Sequence, residues 1–78
     1  MSTKVPIVKV KILEKLLFHL GFEAKRQSGS HVFYRQPDGR YTTLPHRGNQ
    51  ELGRSLTRQI LREIEITPEE FMRLLKKI

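Results

Sequence analysis

The sequence predicts a small α+β domain with a three-stranded antiparallel sheet, helices on one face of that sheet, and a short C-terminal helix. Three observations favour this class. Apolar residues at three- and four-residue spacing mark helices towards both ends of the chain, and short extended segments separated by turn signals fill the middle. At 78 residues, the chain has the length of one domain, 1–78, with a thin core.

The first predicted helix runs from about Val10 to Leu20, and Gly21 suits the left-handed position that ends many helices. Residues 1–8 precede it, and we expect them to form a loosely ordered N-terminal segment. No capping residue stands directly before Val10, so the start of the helix is less clearly marked than its end. The apolar face of this helix consists of Leu13, Leu16, Leu17 and Leu20.

Three short extended segments follow, and we place them at Phe22–Gln27, Ser30–Arg35 and Arg40–Pro45. The turn signals Ser28-Gly29 and Gln36-Pro37-Asp38-Gly39 separate them by hairpin length. This order predicts that the three strands form an antiparallel meander. The order of elements is then α-β-β-β-α, with one further helix at the end.

Strand periodicity divides the middle strand into two faces. His31, Phe33 and Arg35 share one face, and Val32 and Tyr34 share the other. Because an arginine is rarely buried without a partner, we expect the His31 face to be open to solvent.

A polar loop from His46 to Gly53 leads to the second predicted helix, Arg54–Glu63. A third helix begins at Thr67-Pro68-Glu69-Glu70, which combines a threonine cap, a proline at the first helical position and an acid three residues after the cap. The apolar residues of the two helices are Leu56, Ile60, Leu61, Ile64, Phe71, Leu74, Leu75 and Ile78.

The composition favours a polyanionic partner. Net charge is +7 and the isoelectric point is near 10.3, which in so small a domain indicates nucleic acid or an acidic protein. The chain has no cysteine, which excludes disulfides and thiolate metal sites. No apolar run approaches the length of a membrane-spanning helix. We expect a cytoplasmic protein without membrane contact.

The most informative segment is Gly29-Ser30-His31 at the start of the middle strand. Histidine exchanges protons near neutral pH, because its ordinary pKa is about 6.5. RNA carries its own nucleophile, the 2′-hydroxyl, so cleavage needs a base, an acid and cations near the phosphate. Gly29 lets a substrate backbone approach and Ser30 can orient the imidazole. We therefore predict metal-free RNA cleavage by His31. The alternative is an exposed strand histidine that merely pairs with a neighbour.

Other residues are secondary candidates for the site. His46, after the third strand, is either a second acid or base or a loop histidine satisfied by water. The three histidines lack ligand spacing and no acidic cluster accompanies them, so we expect no metal and no cofactor. Arg54, Arg58 and Arg62 form a stripe that either contacts phosphates or is a solvated helix face. Predicted RNA contacts around the sheet are Gly29, Lys25, Arg26, Arg35 and Arg40.

Most of the chain also carries a series of short motifs in a characteristic order. In chain order these are Leu20-Gly21-Phe22, Gly29-Ser30-His31, Pro37-Asp38-Gly39-Arg40, Leu44-Pro45-His46, Glu51-Leu52-Gly53-Arg54-Ser55-Leu56, Ile60-Leu61-Arg62 and Glu69-Glu70-Phe71. Together they resemble the HicA-type toxins, or YcfA-like proteins, of prokaryotic toxin–antitoxin systems. The resemblance implies a fold like the double-stranded-RNA-binding domain and a metal-independent mRNA endonuclease whose single catalytic histidine is His31.

The resemblance further implies a HicB-type antitoxin that covers the catalytic face. We expect Phe33 and Arg35 to lie in that interface, because an apolar ring on an open face gains from burial by a partner. The chain departs from the family at Glu65, in the bend between the last two helices, where Gly is usual. If this position takes a positive φ, Glu costs about 1 kcal/mol there, so another form of bend is an alternative.

Two other functions remain alternatives. One is a non-catalytic RNA-binding module that recognises RNA by shape with the same basic surface. The other is a protein-interaction domain whose open sheet face serves only its partner.

Overall fold

Three helices and two antiparallel sheets make up the part of the chain that the computed structural model describes, residues 4–47 and 49–78. The elements are β1 (Val8–Lys9), α1 (Val10–His19), β2 (Glu23–Ser28), β3 (His31–Arg35), β4 (Tyr41–Pro45), β5 (Glu51–Leu52), α2 (Arg54–Glu63) and α3 (Pro68–Leu75). The expected α-β-β-β-α order, the three-stranded antiparallel sheet and the short last helix are confirmed.

The helix α1 ends as the glycine signal predicts. Gly21 has a φ of 89°, and the N–H of Phe22 donates to the carbonyl of Leu17 at 2.9 Å, the pattern of a Schellman motif. Its first residue has no side-chain cap. The N–H of Val10 instead donates to the carbonyl of Gln50 at 2.8 Å, so a tertiary contact satisfies the start of the helix.

The N-terminal segment contacts the rest of the fold. Val5 is fully buried, and Val8 pairs with Leu52 in the small sheet of β1 and β5. Within the segment expected to be loosely ordered, Val5 and Val8 therefore contact the rest of the fold, and residues 1–3 lie outside the described residues. The same pairing places a strand inside the predicted polar loop His46–Gly53. Two-residue strands carry no alternation that would reveal them in a sequence.

The meander has the predicted faces. Val32 and Tyr34 of β3 are buried, whereas His31 and Arg35 are exposed on the other side, which we call the open face. Ser28 pairs with His31 across the first hairpin. A register shift between Ala24 and Arg26 inserts Lys25 as an extra residue in β2, and every residue of this edge strand is exposed. The core therefore lies beneath β3 and β4.

The core joins α1 and α2 to the covered face of the sheet. Tyr34 donates a hydrogen bond from its hydroxyl to Glu14 at 2.6 Å. Burial, with a smaller contribution from this carboxylate, raises the pKa of Tyr34. Leu56, expected on the apolar face of α2, is exposed, and Thr57 is buried in its place with its hydroxyl on the Gly53 carbonyl at 3.0 Å. The core consists of Val5, Val10, Leu13, Leu16, Leu17, Phe22, Val32, Tyr34, Leu44, Leu52, Ile60, Leu61, Ile64, Ile66 and Phe71.

The bend between α2 and α3 keeps the left-handed form despite its glutamate. Glu65 has a φ of 59°, and Ile66 donates to the carbonyl of Leu61 at 2.9 Å. This is the same capping pattern as at Gly21, so Glu65 carries strain of about 1 kcal/mol. Thr67 and Glu70 form the predicted capping box at the start of α3.

Candidate RNA-cleavage site

His31 stands at a tight hairpin corner between β2 and β3. Gly29 and Ser30 form the two-residue turn, and Gly29 has a φ of 58°, which suits a first turn residue with no side chain. A Cβ on Gly29 would meet nothing within 4 Å. The corner is therefore open on its outer side, and the exposed imidazole of His31 can be reached by a bulky substrate.

Ser30 and the backbone of His46 lie beside His31. The Oγ of Ser30 is 3.4 Å from Nδ1 of His31, a long and weak contact. The backbone N–H of His46 donates to the Ser30 carbonyl, and Pro45, the preceding residue, pairs with His31. The ends of two hairpin strands thus bring both histidines to one edge of the sheet, and both side chains are exposed. With Ser30 near Nδ1, the nitrogen left for a substrate is Nε2.

An aromatic patch lies next to this corner on the open face. It consists of Phe33, Tyr41 and Arg26. The rings of Phe33 and Tyr41 lie 5.5 Å apart between centroids, and the Arg26 guanidinium lies 5.7 Å from the Phe33 centroid. Phe33 is consequently half-buried between its neighbours, and Tyr41 keeps 58% of its surface exposed. Such a surface can stack bases while its cation attracts phosphate.

The remaining cationic side chains of the sheet differ in whether they form ion pairs. Lys25 binds Glu23 at 2.7 Å, and this hydrogen bond lowers the pKa of the Glu23 carboxyl. Both side chains are about half exposed, so water weakens the pair. Arg35 is exposed on the open face and makes no ion pair with any described residue. Arg35 is therefore the least committed cation near the aromatic patch.

Arg40 is engaged inside the fold. Its Nη1 donates to the carbonyl of Ile64 at 2.7 Å, its Nε donates to Asp38 at 2.8 Å, and its guanidinium lies 5.4 Å from the Phe22 centroid. The N–H of Arg40 also holds the pKa of the Asp38 carboxyl below its usual range. Arg40 directly precedes β4, whereas His31 pairs with Pro45, the last residue of that strand. About 17 Å of strand therefore separates Arg40 from His31. The structure thus places Arg40 apart from the corner.

A groove runs between β4 and α2, with His31 at its border. It encloses about 270 Å³. Glu63 and Gln59 supply its polar groups on α2, and the carboxylate of Glu63 accepts hydrogen bonds from both Thr42 (2.7 Å) and Gln59 (3.4 Å). Its lining residues are His31, Tyr41, Thr42, Thr43, Pro45, Leu56, Gln59, Ile60 and Glu63.

The arginine stripe lies away from this groove. At about 100° per residue, the centre of the stripe is roughly 150° around α2 from the residues that line the groove. Arg54 also donates from its Nε to the carbonyl of Val5 at 2.9 Å, which ties α2 to the N-terminal segment. Arg58 and Arg62 are exposed. The structure therefore does not bring the stripe together with His31.

Sequence reasoning missed the groove residues. The sequence predicts Leu56 on the apolar face of α2 and assigns no role in the site to Glu63. The available signal was the spacing of Leu56, Gln59 and Glu63, which places the three on one face of α2. This face of α2 differs from the face of its buried residues. It lines a groove only because β4 lies beside it.

Two other kinds of site are absent from the described residues. In residues 4–47 and 49–78, no three His, Cys, Asp or Glu side chains are grouped so that they could hold a metal ion. Over the same residues, no helix is both long and apolar enough to cross a membrane.

The comparison with protein families gives one result that covers the whole site. The family model described as the HicA toxin of bacterial toxin–antitoxin matches residues 10–66, from the first residue of α1 to the bend after α2. A comparison with curated proteins found no match. The matched segment is well over half of the chain and contains the corner, the aromatic patch and the groove. The chain therefore belongs to the HicA toxin family, and its role is that of the toxin in a toxin–antitoxin pair.

Proposed function

We propose that the protein is an mRNA endoribonuclease that needs no metal, with His31 as its general base. The observation that carries the proposal is the exposed imidazole at an open Gly-Ser corner, beside an aromatic patch suited to bases. Cytoplasmic mRNA is the proposed substrate, and no cofactor takes part.

The chemistry follows from the substrate. Nε2 of His31 takes the proton of the ribose 2′-hydroxyl, whose oxygen then forms a bond to the adjacent phosphorus. The bond from phosphorus to the 5′-oxygen breaks, and this oxygen takes a proton from an acid. The products are a 2′,3′-cyclic phosphate and a 5′-hydroxyl. His31 can return its proton in this step, and His46 is the second candidate acid because its backbone is bound to Ser30.

Charge on the pentacoordinate phosphorus is stabilised by nearby cations. We assign this role to Arg26, which pairs with Phe33 two residues from His31, and Arg35 and Lys25 hold the flanking phosphates. Arg58 and Arg62 are reached only by RNA that passes around α2, so cleavage at His31 does not require them.

The proposed antitoxin is of the HicB type and covers the open face. Phe33 is half-buried and Arg35 is exposed there, so a partner with an apolar contact and acidic groups fits both. Covering this face also closes access to His31. Inhibition then needs no change in the shape of the toxin.

The test is cleavage of mixed single-stranded RNA by the wild type, His31→Ala and His46→Ala in excess EDTA. We expect the wild type to leave 2′,3′-cyclic phosphate ends and His31→Ala to lose about 100-fold or more. Thermal melting of each variant serves as the folding control. Equal cleavage by wild type and His31→Ala contradicts the assignment, and loss of wild-type activity in EDTA indicates a metal instead. Tight RNA binding without cleavage by the wild type favours the non-catalytic binding module.

A further inference from the structure

The groove between β4 and α2 is not used by the proposed cleavage step. His31 borders it, so an RNA strand whose phosphate lies at His31 can place a neighbouring base in the groove. β4 is the edge strand on this side of the sheet. The groove is therefore open to a strand that crosses the corner.

The chemistry of the lining favours a base over a phosphate. Leu56 and Tyr41 expose 38% and 58% of their surfaces, and both line the groove with Pro45. A planar ring buries these apolar surfaces, whereas the Glu63 carboxylate, on α2 like Leu56, repels phosphate. A nucleobase satisfies both conditions.

The carboxylate of Glu63 is anchored mainly through one of its two oxygens. One oxygen accepts from the Thr42 hydroxyl at 2.7 Å and the other from the Gln59 amide at 3.4 Å. Each carboxylate oxygen has two acceptor sites, so both retain capacity for a ligand, and neither can donate. The groove therefore presents a hydrogen-bond acceptor, which favours ligands that carry N–H donors.

We propose that this groove binds one base beside the cleaved phosphate and prefers bases that carry an exocyclic amino group. Cytosine presents its N4 amino group to Glu63, in the manner of carboxylate recognition of cytosine in nucleic acids. Uracil has a carbonyl oxygen at the same position, which the carboxylate repels. Adenine and guanine also carry amino groups, so the disfavoured base is uracil. This inference rests on the proposed function, because it assumes that RNA reaches His31.

The sharpest test compares oligocytidine with oligouridine of equal length. The two strands have the same charge and similar rings, and they differ at the position that Glu63 recognises. Binding is measured by fluorescence anisotropy at one salt concentration with His31→Ala, so cleavage plays no part. We expect about tenfold tighter binding of oligocytidine. In the His31→Ala background, Glu63→Gln should reduce this ratio to less than about threefold, because an amide also donates to the uracil oxygen.

Glu65→Gln is the matched control. It removes the same charge near the same end of α2, but Glu65 does not line the groove. Both substitutions should raise overall RNA affinity, and only Glu63→Gln should change the cytidine-to-uridine ratio. An equal ratio in all three proteins overturns the proposal. Because Glu63 binds Thr42, melting temperatures are compared first, and Gln59→Leu provides a second variant that should lower the ratio without removing charge.

Mapping the cut sites of the wild type separates this inference from the proposed function. Cleavage that avoids uridine beside the cut phosphate supports both. Cleavage without base preference, together with an equal binding ratio, overturns the groove alone. A binding preference without any cleavage supports the groove as an RNA site and overturns the catalytic assignment.

Discussion

Arg40 has a structural role in this fold, and a substitution can distinguish it from an arginine that binds RNA. Its side chain joins the turn before β4 to the bend after α2 through the Ile64 carbonyl, and it covers the buried ring of Phe22. We predict that Arg40→Ala lowers the free energy of unfolding by about 3 kcal/mol. Arg35→Ala, the matched control on the open face, should lower it by less than about 0.5 kcal/mol.

The magnitude follows from the three contacts. A hydrogen bond from a charged donor to a carbonyl contributes about 1.5–3 kcal/mol, and the cation–π contact about 0.5–1 kcal/mol. The pair with Asp38 adds little, because the carboxylate side chain is 50% exposed and water screens the pair. These contributions are not additive, so the expected total lies near the middle of the summed range. Arg40→Lys keeps the charge but loses the planar fork, and it should lose about half as much.

The assay is urea unfolding followed by circular dichroism, with RNA binding measured separately below the transition. Arg40→Ala should bind RNA nearly as tightly as the wild type once folded, whereas Arg35→Ala should bind more weakly. A decrease of less than about 1 kcal/mol in the free energy of unfolding of Arg40→Ala would refute the structural role of Arg40. So would a larger loss of RNA affinity in Arg40→Ala than in Arg35→Ala.

Three further predictions concern single residues. Glu65→Gly should stabilise the fold by up to about 1 kcal/mol in urea unfolding, because Glu65 has a φ of 59°. Tyr34→Phe should reduce the loss of stability that occurs above pH 10. Because the pKa of Tyr34 is raised in the folded state, the phenol ionises first in the unfolded state. The free energy of unfolding of the wild type therefore falls as the pH rises through the unfolded pKa of 10.0. Phe33→Ala should weaken the complex with the cognate antitoxin by about 1–3 kcal/mol in calorimetry, with folding retained.

Each of these has a contrary outcome. Destabilisation by Glu65→Gly means that the bend gains more from the glutamate side chain than it loses in backbone strain. Parallel pH profiles for the wild type and Tyr34→Phe contradict the burial of the phenol. An unchanged antitoxin affinity in Phe33→Ala, or a complex in which the His31 side chain stays open to solvent, contradicts occlusion of the open face.

The main elements of this fold were predictable because their signals are local. The helix Arg54–Glu63 has the predicted bounds, and Gly21 ends α1 through a motif that depends on four neighbouring residues. The faces of β3 follow from strand alternation alone, which placed His31 on the open side. Each of these features depends on residues close together in the chain.

The features that were missed depend on distant residues. The pairing of Val8 with Leu52 joins segments more than forty residues apart, and neither strand is long enough to show a pattern. The role of Arg40 depends on a carbonyl 24 residues away, which a count of charges cannot reveal. The groove likewise exists only because Glu63 and Thr42 meet across α2 and β4. The composition identifies the cationic residues of the chain, but it does not show which of them form contacts inside the fold.

In the proposed mechanism, His31 removes the proton of a ribose 2′-hydroxyl. Its most direct test is the single-turnover cleavage of a deoxyoligonucleotide that contains one ribonucleotide, in excess EDTA. The wild type should cut only at the phosphate after the ribose. His31→Ala should be about 100-fold slower or more, and His19→Ala, an exposed histidine on α1, should match the wild type. Equal rates for His31→Ala and the wild type, or cutting at the deoxyribose positions, would contradict this mechanism.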